Sequence, residues 1–190
     1  MRTIMRRALT PLAVIMLAAC GGGDDKAGGE KAEQAQPSSR TLAATLQAAA
    51  GNDTLGEVVS NAGLTGVLEG VGPYTVFAPT DAAFTTGAPG ADFTDETMRA
   101  QSAALLRAHI VPGALSRQDI AAAIERAGNG SVEMRTMADG LLTFTRDGEA
   151  IVVTAGNGAR ARLTGEEAVA SNGVLQPVDG LLVKPDTPAT

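Results

Sequence analysis

The chain has 190 residues, and among them are one cysteine (Cys20), one histidine (His109), one tyrosine, four phenylalanines and no tryptophan. Each scarcity removes a class of chemistry. A single His and a single Cys cannot supply the four nitrogen or sulfur ligands of a structural zinc site. One cysteine closes no disulfide, so stability has to come from packing. Nucleophilic catalysis lacks its parts, because there is no Gly-x-Ser-x-Gly elbow and no second histidine. No P-loop and no complete Gly-x-Gly-x-x-Gly occurs. Gly70-Val71-Gly72 precedes Pro73 and a β-like run, and reads as a turn. The carboxylates are scattered, no cofactor motif is found, and no enzyme is expected. Basic residues are also short, with 15 Lys and Arg against 21 Asp and Glu. An acidic chain repels phosphate backbones, and without tryptophan it lacks the usual base-stacking platform, so nucleic acid is not an expected partner.

What is present begins with Arg2, Arg6 and Arg7, followed by Ala8 to Ala19, apolar or small apart from Thr10. The run is too short for the roughly 20 residues of a membrane span and suits a signal peptide over residues 1–19. It ends in Leu17-Ala18-Ala19-Cys20, which resembles the lipobox of bacterial lipoproteins. That resemblance implies cleavage before Cys20 and acylation of its thiol. Gly21 stands where proteins retained on the inner membrane usually carry Asp, which favours the outer membrane, on its periplasmic or cell-surface face. Each buried methylene contributes about 0.8 kcal/mol, so two or three chains on Cys20 would hold the protein to a membrane almost permanently. Removing residues 1–19 with their three arginines brings the net charge near −9. Residues 20–40 then form the lipidated cysteine and a tether without large apolar side chains, with a reach of roughly 25 Å.

From 41 to 185 the composition is that of one domain with its own core, with a short tail over 186–190. The first half predicts helices. Thr41 to Ala50 is Ala-rich, Thr54 is placed to cap Leu55 to Ala62, and Leu64 to Glu69 is a third short piece. Tyr74 to Phe77 is β-like, and Thr80 or Asp81 caps the turn that delivers Phe84 to the core. Thr94 is placed to cap a longer helix with a buried stripe of Met98, Ser102, Leu105 and His109. Ser116 with Asp119 reads as a capping box for Arg117 to Ala127, with Ile120 and Ile124 inward. The second half predicts strands over 132–137, 141–146, 151–154, 159–163, 174–178 and 181–183. Asp139-Gly140, Asp147-Gly148, Asn157-Gly158 and Asn172-Gly173 supply tight turns. The fold class is α+β, a mainly antiparallel sandwich or wedge with a helical layer.

His109 is the one side chain with a neutral-range pKa, read either as a hydrogen-bonded residue at a helix-to-strand junction or as a binding residue. Arg160 and Arg162, with Arg135 and Arg146 nearby, read as a basic stripe for an anionic ligand or as a charged strand face that prevents edge pairing.

Three segments together resemble the fasciclin-domain family. They are Tyr74-Thr75-Val76-Phe77-Ala78-Pro79-Thr80-Asp81-Ala82-Ala83-Phe84, His109-Ile110-Val111-Pro112-Gly113, and Ser171-Asn172-Gly173-Val174-Leu175-Gln176-Pro177-Val178-Asp179. Ala108 stands where the family often has Tyr, and Gln176 where it often has His. The resemblance implies an α+β wedge and a binding role: cell adhesion, or contact with an unidentified surface protein or polysaccharide. His109, Val111 and Pro112 are the candidate binding residues. Some members carry apolar pigments, which makes a carotenoid-type carrier the alternative.

Overall fold

The structure is a computed structural model that describes residues 39–184. The expected signal peptide, Cys20, the tether up to residue 38 and the 186–190 tail lie outside the described residues.

Local chemistry sets the helix starts. The Thr41 hydroxyl accepts the Ala44 N–H at the head of α1 (Leu42–Ala48). For α2 (Asp53–Asn61) the expected cap by Thr54 is not the one formed. The helix begins at Asp53, so Thr54 lies inside it, and Asp81 Oδ1 reaches in from another helix to take the Thr54 N–H at 2.9 Å. α3 (Thr65–Glu69) follows, and then β1 (Tyr74–Pro79). Thr80 caps α4 (Asp81–Gly87), as read, and Phe84 is buried. The next helix is capped by Asp95, not Thr94. Asp95 Oδ1 accepts the Thr97 N–H at 2.7 Å, while the Thr94 hydroxyl turns back to Asp92. One 3-10 turn (Glu96–Met98) leads into α5 (Arg99–His109), which buries Ser102, Leu105, Leu106 and His109 and leaves Met98 half-buried. The Ser116–Asp119 capping box forms on α6 (Arg117–Arg126).

The strands make two four-stranded sheets. The first has the order β2-β1-β8-β7, with β2 Ile110–Pro112, β7 Ala168–Ala170 and β8 Gly173–Val178. The second is the meander β3-β4-β5-β6, over Ser131–Arg135, Leu141–Asp147, Ala150–Ala155 and Arg160–Arg162. All the pairings are antiparallel except β1 with β8. Asp139, Gly148 and Gly158 take the positive φ of the meander's turns, at 59°, 62° and 79°. β2 and β7, three residues each, fall outside the strands expected from the sequence. The strand expected over 181–183 is absent: Leu181 and Leu182 are buried but lie outside any ladder.

β1 shows why the sequence there is an almost unbroken apolar run. Val76 and Ala78 enter a cluster with Leu42, Leu55, Leu68, Leu105 and Leu106 from the helices. Phe77 faces the other way, into a second cluster with Phe144 of the meander, their rings 5.3 Å apart. The first sheet is thus covered by helices on one side and by the second sheet on the other, and no face of β1 reaches water.

Candidate binding surface

The three segments singled out in the sequence are neighbours in one sheet. Tyr74 opens β1 and stands opposite Pro112 of β2 on one side and Gly173 of β8 on the other. Its N–H donates to Asn172 O at 3.1 Å. Two glycines make this approach possible. A Cβ on Gly72 would collide with Asn172 O, and one on Gly173 with Tyr74 O. Asn172 then fastens the layer above: its Oδ1 accepts the Leu42 N–H at 2.7 Å, and its Nδ2 donates to Leu68 O and Gly70 O.

The turn after β2 is fixed just as firmly. Gly113, with φ 108°, donates its N–H to Pro73 O at 2.9 Å. The Thr75 hydroxyl donates to Gly113 O and accepts the Leu115 N–H. Gln176 sits fully buried beneath this turn. Its Nε2 donates to Leu115 O and to Glu167 Oε2, and Arg117 donates to its Oε1. The amide therefore satisfies both its donors and its acceptor where the related pattern often has His.

The three candidate residues separate. His109 is fully buried, and both ring nitrogens are taken by the backbone: Nδ1 by Leu105 O and Nε2 by the Leu182 N–H. Desolvation pushes its pKa from 6.5 down to about 4, against a smaller upward pull from the Leu105 hydrogen bond, so the ring is neutral at pH 7. Val111 is also buried. These two positions hold the scaffold, and the helix-to-strand reading of His109 describes its geometry. Pro112 alone of the three is exposed.

Other exposed apolar residues lie near Pro112 along the chain and across the Gly113–Pro73 bond. Pro73 and Ala114 are exposed, and Val71 is 96% exposed at the tip of the loop before β1. At the other end of β2, Ile110 O accepts the N–H of Met137, a second exposed large apolar residue. The 109–113 segment is thus flanked by exposed apolar side chains. The sequence reading passed over Val71, because Gly-Val-Gly reads as turn chemistry. The usable signal was a β-branched residue spent on a turn.

The arginine stripe is largely neutralised within the fold. Arg162 pairs with Asp147 at 2.6 Å, Arg146 with Glu125 at 2.8 Å, and Arg135 with Asp139 at 4.0 Å. Three of the four arginines are thus paired on the strand face, while Arg160 is exposed. Among the described residues no helix is long and apolar enough to cross a membrane.

The family model described as "Fasciclin domain" matches residues 50–184. The chain is 30% identical over 149 residues to Protein sll1483 of Synechocystis sp., covering 74% of this chain and 73% of that protein. It is 42% identical over 67 residues to the uncharacterized protein sll1735 of the same organism, covering 35% of this chain and half of that protein. Its fold matches a solved FAS1 domain pair from the insect cell adhesion molecule Fasciclin I, with a TM-score of 0.57 and 21% identity. The match covers 72% of this chain and 47% of that one, so the chain spans about half the length of the domain pair.

Proposed function

Because the chain belongs to the fasciclin-domain family, we propose that it is a binding module without a reaction of its own, one that attaches a cell surface to a protein or polysaccharide outside it. The observation that carries this reading is Val71. A β-branched apolar side chain left 96% exposed is of no use to the fold itself. The loop that presents it is anchored by the close approach of Gly72 to Asn172 and by the bond from Gly113 to Pro73. A surface already held in place loses little conformational entropy on contact. Pro73 is exposed two residues further on, and the Gly113–Pro73 bond brings the exposed Pro112 and Ala114 close to it. Exposed apolar surface of this kind marks interaction sites when it is contiguous.

The reading includes export and a lipid on Cys20, which would hold the domain at a membrane, with the outer membrane favoured. Support comes from the lone cysteine at the end of a short apolar run behind three arginines. Fixing the module to a surface raises the effective concentration of neighbouring partners, so weak contacts suffice.

The test pairs attachment with stability. Val71→Asp and Pro112→Asp are expected to reduce cell aggregation or surface attachment while leaving the melting temperature near wild type. Normal attachment by both variants, or loss only in step with unfolding, overturns the assignment of this surface. A purified wild-type protein that carries a coloured or apolar molecule replaces adhesion with the carrier function.

A further inference from the structure

Each sheet has two edge strands, and three of those edges meet other parts of the fold. β6 is joined to β8 of the first sheet, through the Leu163–Val178 bridge and the Asp179 N–H to Arg162 O. Beside β7, Arg40 O takes the Ser171 N–H at 2.8 Å. β2 ends in a proline, which has no N–H, and its Ile110 O accepts the Met137 N–H at 2.8 Å.

β3 differs over its middle. Along a strand, successive residues turn their backbone groups to opposite edges. Thr136 donates its N–H to Gly140 O at 2.8 Å, so Val132 and Met134 turn theirs to β4 as well. Ser131, Glu133, Arg135 and Met137 turn theirs outward. The two ends of that row are taken: the Ser131 N–H by Asn129 Oδ1 at 3.2 Å, the Met137 N–H by Ile110 O. Glu133 and Arg135 lie between them. Among the described residues nothing hydrogen-bonds to the N–H or the C=O of either. Two donors and two acceptors in a row on an edge strand are a template for another strand.

The side chains select which strand. Those of Glu133 and Arg135 are exposed on one face. Edge charges ordinarily discourage pairing, because like signs set opposite one another repel. Opposite signs two residues apart are instead self-complementary. In an antiparallel pair of β3 strands centred on Met134, Glu133 of each copy faces Arg135 of the other. Both such pairs exchange N–H···O bonds, which uses all four open backbone groups of each copy. A register centred on Glu133 would set Glu against Glu, and one centred on Arg135 would set Arg against Arg. The existing partner of Arg135 competes little, since Asp139 stands 4.0 Å away with both side chains mostly in water.

We propose that two copies of this chain pair antiparallel through β3, in the register Glu133 to Arg135, and so join their meanders into one sheet about a two-fold axis. The half-buried Met134 of each copy lies on that axis, on the face opposite the charges. A contact this small is weak in solution. The proposal does not depend on the Val71 surface.

Sedimentation equilibrium of the full chain, from micromolar to millimolar concentration, tests it. Wild type is expected to pass from monomer to dimer and stop there, because a two-fold pairing uses the same edge of both copies. Glu133→Arg and Arg135→Glu each set like charges opposite one another and are expected to weaken the dimer at least about tenfold. They shift the net charge in opposite directions, so attraction by overall charge predicts a different pattern. An equal mixture of the two variants restores opposite pairs, as does the double variant Glu133→Arg with Arg135→Glu. Both are expected to dimerise within about threefold of wild type. Melting temperatures of all variants at low concentration should stay near wild type, since both side chains are exposed. A wild type that stays monomeric, or grows past two copies, overturns the proposal. So do single variants that associate like wild type, or a mixture that fails to recover.

Discussion

The ring of His109 and the backbone of Leu182 share a 2.9 Å hydrogen bond across 73 residues of sequence. It ties the stretch after β8 to the end of α5 without a ladder. It also forms only with the neutral imidazole, because Nε2 must accept.

Acid should therefore loosen the fold in a defined window. The ring titrates near 6.5 when unfolded and near 4 when folded. Between those values the unfolded chain binds the proton and the folded chain does not. Stability is then full above pH 6.5 and falls as pH drops toward 4, by about 3 kcal/mol in all. Hydrogen bonds from Thr94, Thr97 and Ser116 lower the carboxyls of Asp92, Asp95 and Asp119, so their contributions are lost only at still lower pH. Urea midpoints measured across the window should slope in wild type and stay flat in His109→Phe. A flat wild-type curve would contradict the burial of the ring.

Asn172 should be more sensitive to charge than to truncation. Asn172→Ala removes three hydrogen bonds and is expected to cost about 3 kcal/mol. Asn172→Asp keeps an acceptor for Leu42 but turns an oxygen toward Leu68 O and Gly70 O, where Nδ2 had donated. Its unfolding midpoint should be the lower of the two at pH 7. The reverse order would mean that those carbonyls do not need the donors.

Phe84 is buried against Phe93, their rings edge-on at 6.1 Å. Phe84→Ala is expected to cost about 3–5 kcal/mol, since it leaves a cavity beside a rigid ring. An unchanged melting temperature would show that the site collapses without penalty.

Cys20→Ser should move the protein from the membrane fraction to the soluble one and abolish labelling by a fatty-acid probe. Equal labelling of variant and wild type would end the lipid assignment.

Much of the architecture was legible because its signals are local. The meander follows from Asp-Gly and Asn-Gly turns between alternating strands, and α6 from a capping box four residues long. The misreadings share a different cause. Thr54 lies inside α2 rather than before it, and its N–H goes to Asp81, which arrives from another helix. The 181–183 stretch has strand composition, yet a distant histidine, not a neighbouring strand, takes one of its N–H groups. β2 and β7 are three residues each, too short to show a period of two. Of the candidate residues, His109 and Val111 turn inside and Pro112 turns to water, a division that a three-residue strand does not show in its sequence.

The parallel pairing of β1 with β8 carries a consequence for synthesis. Tyr74 pairs with Gly173 and Pro79 with Val178, so the first strand of the domain waits for its eighth. Until then β1 has only the short β2 as a ladder partner. Pairing so distant in sequence is slow to close, and a nascent chain in this state is exposed to wrong partners. The domain should therefore close only once β8 has been made, and a product cut short before residue 173 should be a target for chaperones and proteases instead of a smaller working domain.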